Sequence, residues 1–133
     1  MKQAILTKIF CFEAAHHLPY HRGKCARLHG HSYRLEVTLR GPIKHAAGSS
    51  DHGMVLDFSD LSQIVQESVI ARLDHADLNV VTGIYTTAEN LAHWIWDALV
   101  AAGLPEPLLY RLRLWETESG YVEITAAERE AAR

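Results

Sequence analysis

The chain has 133 residues, a length that suits one domain around a single core. Hydrophobic residues make up 48% of it and the net charge is −3, so its electrostatics call for neither nucleic acid nor an anionic membrane surface. No run approaches the roughly 18 apolar residues of a membrane span. Residues 1–5 lead straight into an alternating segment, which reads as no secretory leader and implies a cytoplasmic protein with Cys11 and Cys25 as free thiols.

Residues 4–16 alternate, with Leu6, Phe10, Phe12, Ala14 and His16 on one face, and this predicts a long strand. Cys11, mid-strand between Phe10 and Phe12, is expected to pack in the core. Residues 33–40 alternate more strictly, and the register extended backwards puts His31 and His29 on the apolar side. Gly41-Pro42 ends this strand, and residues 45–53 read as a mobile loop. A short strand is expected over 54–58. A helix capped by Ser59 or Asp57 follows, with Leu61, Ile64, Val65, Val69 and Leu73 on one stripe.

Residues 74–79 read as a polar loop. Thr86 and Glu89 have capping-box spacing, so Thr86 is the expected cap of a second helix that turns Leu91, Ile95, Ala98, Leu99 and Ala102 inward before Gly103 and Pro105. Strands over 108–117 and 121–125 close the chain around a tight turn at 118–120, and residues 126–133 form a frayed or disordered tail. The expected architecture is α+β: one domain, a four-stranded antiparallel sheet with two helices on one face. Its other face, carrying Arg34, Glu36, Thr38, Arg111 and Arg113, is left for water or another subunit.

If the first two strands pair antiparallel, the loop over 17–28 joins the ends that carry His16, His29 and His31. Three imidazoles then meet at one edge of the sheet, a donor set that suits Zn²⁺ and leaves a fourth position open. Cys25, in a polar loop beside Lys24 and Arg27, reads either as a reactive thiol or as a fourth ligand closing a structural site. His17 points to the other face, and His21, His45, His52 and His93 have no spacing argument and are expected in solvent. Asp74-His75 reads as a carboxylate orienting an imidazole, although neighbours in sequence hydrogen-bond poorly and a histidine serving a helix C-terminus has the same pattern. Glu116 on an apolar face invites a cation or a pair of N–H donors.

Phe12-Glu13-Ala14-Ala15-His16, Cys25-x-x-x-His29-Gly-His31, Val55-Leu56-Asp57-Phe58, Leu73-Asp74-His75-x-x-Leu78-Asn79, Thr87-Ala88-Glu89-Asn90-Leu91-Ala92 and Trp115-Glu116-Thr117 occur in this order. The series resembles the 6-pyruvoyltetrahydropterin synthase / 6-carboxytetrahydropterin synthase family across nearly the whole chain. The short length is more like the bacterial 6-carboxytetrahydropterin synthases of queuosine (7-deazaguanine) biosynthesis. The resemblance implies a tunnelling fold (T-fold), with three subunits closing a barrel, two trimers stacking into a hexamer, and active sites between subunits. It implies zinc on His16, His29 and His31, and Cys25 as general base with Asp74 and His75 as its dyad, drawn from different subunits. Glu116 would grip the pterin, Thr87 and Glu89 would seat the ring, and Arg27, with Arg22 and Lys24, would face the triphosphate of 7,8-dihydroneopterin triphosphate. The implied reaction releases triphosphate and acetaldehyde. The alternatives are a 6-pyruvoyl product without carbon–carbon cleavage, an aldolase-like cleavage, and a non-catalytic zinc module. Two positions depart from the family pattern: Thr86 where Pro is common before the Thr-x-Glu motif, and His17 where Arg is common.

Overall fold

Two strands of fourteen residues each, β1 (Gln3–His16) and β2 (His29–Pro42), set the frame of the computed structural model, which describes residues 1–131. They pair antiparallel along their full length, from Gln3 opposite Pro42 to His16 opposite His29. β4 (Leu109–Thr117) pairs with β2, and β5 (Gly120–Thr125) with β4, both antiparallel, with the turn where the sequence placed it. Alternation sends Phe10, Phe12, Tyr33, Leu35, Val37, Leu112 and Leu114 to one buried face. Cys11 belongs to the opposite register and is exposed, so its expected core role is corrected: a strand cannot bury three consecutive side chains on one face.

The sheet has five strands rather than the expected four: with β3 (Ala76–Asp77) the order is β3-β1-β2-β4-β5. The added strand pairs parallel to Ala14 and Ala15 of β1 within what read as a polar loop. A two-residue strand carries too little pattern to be seen in sequence. The strand expected over 54–58 does not form. Asp57 is instead extended and caps α1 (Phe58–Val65) by accepting from Ser59 N–H.

The first helical run continues from α1 through a wider π turn (Gln66–Ile70) into α2 (Ala71–Leu73). Leu61, Val65, Val69 and Leu73 are all fully buried, at intervals of four. A four-residue repeat drifts around a 3.6-residue helix, and the i→i+5 turn absorbs that drift so that one stripe faces the sheet throughout. A short helix, α3 (Leu78–Thr82), ends at Gly83 in the left-handed conformation. α4 (Ala88–Ala101) buries Leu91, Ala92, Ile95, Trp96 and Leu99. Its cap is Thr87, whose hydroxyl accepts from Asn90 N–H at 3.2 Å, so the Thr86–Glu89 box is corrected by one residue. Ala102, expected inward, is exposed. Gly103 at φ 104° turns the chain, and Leu104 takes the core position with its N–H on the Leu99 carbonyl.

Residues 126–131 of the expected tail form a last short helix, α5 (Ala126–Ala131); 132 and 133 lie outside the described residues. Both helical layers cover one sheet face, as expected. The polar face is less bare than its sequence suggests: Thr38 is fully buried, and Glu36 accepts from Trp115 Nε1. Among the described residues, no helix is long and apolar enough to cross a membrane.

Candidate metal centre and active site

The register that pairs His16 with His29, and Ala14 with His31, gathers three imidazoles on the helix-covered face at the end of β1 and β2 that the loop over 17–28 joins. One nitrogen from each lies within 4.8 Å of the others. Second partners fix the rings. His16 Nδ1 lies 2.9 Å from the Thr86 carbonyl and 3.1 Å from the Thr86 hydroxyl, and His29 Nδ1 lies 2.7 Å from the Arg27 carbonyl. A carbonyl only accepts, so each Nδ1 carries the proton and each Nε2 offers a lone pair.

Nε2 of His16 and Nε2 of His31 are buried and have no hydrogen-bond partner among the described residues. Burial pushes the His16 imidazolium down, against the Thr86 carbonyl and Glu116, and its histidine neighbours push it further. Burial does the same at His31, opposed by Glu116. Converging imidazole nitrogens, two of them buried without a hydrogen-bond partner, are the donor set of a divalent transition-metal ion, so the residues fit zinc.

Cys25 is half-buried in a single 3₁₀ turn (Lys24–Ala26), tied by Leu18 N–H to its carbonyl at 2.8 Å. The group that closes on one point consists of the three histidines, without the Cys25 sulfur. Glu116 sits at a β-bulge in β4, and its carboxylate oxygens stand 3.9 and 3.8 Å from Nε2 of His16 and His31, too far to bond them. Glu116 and Glu89 line one cleft of about 270 Å³ beside the helix start that Thr87 caps. Arg27 exposes its side chain and contributes its carbonyl to His29.

Asp74 and His75 follow α2. Asp74 accepts from Glu13 N–H at 2.9 Å, and His75 N–H donates to the Glu13 carbonyl at 2.5 Å, so both are clamped to the edge of β1. His75 takes φ 58°, which folds its ring back until Nδ1 is 3.1 Å from the Asp74 carboxylate. The left-handed backbone therefore removes the sequence objection to adjacent partners, and His75 lies outside the helix rather than serving its end. The Glu13 N–H chiefly, with His75, holds the Asp74 carboxyl below its usual range. His75 lines a cleft of about 520 Å³ at the edge of β1 together with Glu13, Ala14, Ala15, Gly30 and Ser32, and His31 of the triad borders the same cleft.

Sequence reasoning missed Thr86 and Asn79 as supports of the triad. The doubled threonine was the available signal, since one hydroxyl caps the helix and the other is left for a second task. Of the histidines expected in solvent, His93 instead meets Arg129 at 3.0 Å.

Together these features describe an α+β domain with three converging histidines that could hold a metal ion where β1 leads into β2, and an oriented Asp–His pair at the edge of β1. A model of the 6-pyruvoyl tetrahydropterin synthase family matches residues 5–127, and the chain belongs to that family. It is 46% identical over 102 residues to a Synechocystis 6-carboxy-5,6,7,8-tetrahydropterin synthase, covering 76% of this chain and 78% of that one. It is 34% identical over 135 residues to a Dictyostelium discoideum 6-pyruvoyl tetrahydrobiopterin synthase, covering 91% and 95%. The solved 6-pyruvoyl tetrahydropterin synthase of Caenorhabditis elegans superposes with a TM-score of 0.81 at 25% identity, covering 94% of this chain and 96% of that one. The fold is the tunnelling fold of these synthases.

Proposed function

We propose that the protein is a zinc-dependent 6-carboxytetrahydropterin synthase, a lyase that converts 7,8-dihydroneopterin triphosphate and water to 6-carboxy-5,6,7,8-tetrahydropterin, acetaldehyde and triphosphate. The observation that carries this reading is the triad: three imidazoles whose nitrogens converge, two of them, His16 and His29, held from behind by backbone carbonyls. The likeness to the Synechocystis enzyme favours the 6-carboxy product. Pterin ring and side chain exchange hydrogen internally in this conversion, so it needs no external oxidant or reductant.

Zinc held by His16, His29 and His31 supplies Lewis-acid polarisation of the substrate's side-chain oxygens. Cys25 removes a proton from the side-chain carbon. His75, oriented by Asp74, carries protons to and from the side-chain oxygen. Glu116 accepts hydrogen bonds from the pterin 2-amino group and N3–H, Thr87 and Glu89 seat the ring, and Arg27 faces the triphosphate. The His75 side chain is 81% exposed at the edge of β1 and the Cys25 sulfur lies outside the converging group, which supports a site completed by the dyad of a neighbouring subunit in a trimer or hexamer. We place the enzyme in the cytoplasm, on the pathway to queuosine and related deazapurines.

A 6-pyruvoyl product is the second reading, favoured by the Dictyostelium likeness over a longer stretch of chain. A non-catalytic zinc module would need Cys25 to close the site, and the converging group is of histidines alone. The deciding experiment incubates zinc-loaded protein with 7,8-dihydroneopterin triphosphate and follows acetaldehyde by mass spectrometry. Acetaldehyde rising in step with substrate loss is the expected result. Triphosphate without acetaldehyde would move the assignment to the 6-pyruvoyl enzyme, and an unchanged substrate would favour the zinc module.

A further inference from the structure

Asn79 has no part in the chemistry above, yet its side-chain amide organises the backbone next to His16. Its Oδ1 accepts from His17 N–H at 3.0 Å, and its Nδ2 donates to the His17 carbonyl at 2.9 Å. Both main-chain groups that follow β1 are therefore held by one side chain. Asn79 is itself fixed at the start of α3, where its N–H donates to Asp77 Oδ1 at 3.0 Å. The same Asn79 Oδ1 lies 3.2 Å from the hydroxyl of Thr86, which is fully buried.

Donor counting gives these contacts a direction. An amide oxygen only accepts, so the Thr86 hydroxyl proton points at Asn79 and its lone pair faces His16 Nδ1–H at 3.1 Å. The other acceptor within reach of that proton, the His17 carbonyl, is farther at 3.4 Å and already takes the Asn79 Nδ2 proton. A continuous chain thus runs from the first turn of α3 through Asn79 and Thr86 to the most buried imidazole of the triad. A ligand held from behind in this way keeps its Nε2 aimed at one point without reorganisation.

We propose that Asn79 is a positioning residue of the metal centre, acting on His16 through the Thr86 hydroxyl and through its two-point grip on His17. The inference rests on the metal reading above and concerns residues that never touch the metal or the substrate. Asn79→Ala removes the whole grip. Thr86→Val removes only the hydroxyl and keeps the carbonyl and the shape, whereas Thr86→Ser keeps the hydroxyl.

The test is zinc affinity by chelator competition, with the absorption bands of the cobalt-substituted protein as a report on ligand geometry. Asn79→Ala and Thr86→Val should each weaken zinc binding roughly 10- to 100-fold, the range of second-shell losses, and alter the cobalt spectrum. Thr86→Ser should restore both. The double variant should bind no more weakly than the worse single variant, because the two residues act in one chain. Unchanged affinity and spectrum in Asn79→Ala, with only a lower unfolding midpoint, would overturn the inference, as would additive losses in the double variant. If Asn79→Ala does not fold, the Thr86→Val and Thr86→Ser pair decides: equal affinity in these two would overturn it. Failure of the unaltered protein to bind zinc would overturn the metal reading and the inference together.

Discussion

His16 and His75 lie near the same end of β1, yet the side chain of one is 1% exposed and that of the other is 81% exposed. His16 is surrounded by its own chain, with Thr86 behind it, Tyr33 beside it and two further imidazoles in front. His75 is oriented just as definitely, by Asp74 and a left-handed backbone, but it opens onto solvent at the edge of the strand. A metal ligand must be dried and aimed before the ion arrives, and a single sheet can do that. A proton shuttle needs only orientation within the chain, and its substrate and its thiol partner can come from elsewhere. The difference is between a converging imidazole triad that one chain supplies whole and an Asp–His pair that it orients but leaves exposed.

The sharpest way to break this comparison is to remove a ligand. His29→Ala should cost more than the roughly 100-fold that outer-shell changes reach in zinc affinity, and should abolish turnover. Equilibrium dialysis with metal analysis checks it, and retained stoichiometric zinc would mean the triad is not the centre. Cys25→Ala should lower turnover by roughly 10²- to 10⁴-fold while zinc content stays full, since the thiol stands outside the converging group. Loss of metal in that variant would make Cys25 a ligand.

Mixing Cys25→Ala with His75→Ala subunits, then unfolding and refolding them together, sharpens the comparison itself. Partial recovery of activity is expected, because some interfaces then join an intact thiol to an intact dyad. No recovery would place both groups of a site in one chain. Asp74→Asn keeps an oxygen for the Glu13 N–H and removes the charge that holds His75, so roughly a tenfold loss of turnover with little change in the unfolding midpoint is expected.

The smallest effect is in pH. Burial first, opposed by Glu116, lowers the His16 and His31 pKa values in the folded protein below the ordinary 6.5. The unfolded chain therefore binds protons first as pH falls through about 6.5, and the metal-free protein loses stability below that point. Denaturant midpoints across this range should fall in the unaltered protein, and His31→Gln should flatten the trend. A flat profile in the unaltered protein would mean these imidazoles are not held neutral.

Much of this was legible in sequence for one reason: a strand repeats every two residues, so His16, His29 and His31 could be placed on a face by counting. The helix stripes at Leu61–Leu73 and Leu91–Leu99 were legible for the same reason, at a period near four. What could not be counted was missed. β3 is two residues long, and Thr86 and Thr87 offer the same hydroxyl to the cap; Cys11 is the exception, since its register against Phe10 and Phe12 already turns it outward. Asp74-His75 looked like poor partners because φ 58° at His75 has no signature in an ordinary side chain.

The sequence by itself determined which residue types could bind metal and move protons, and which of them share a strand face, since local periodicity follows from backbone geometry alone. Only the tertiary structure decided that Thr86 and Arg27 lend carbonyls to His16 and His29, that Asn79 grips His17, and that Asp74 and His75 are clamped to Glu13 at the edge of β1. Those outcomes depend on hydrogen bonds and packing between segments up to 70 residues apart. Spacing along one segment says nothing about where the other will lie.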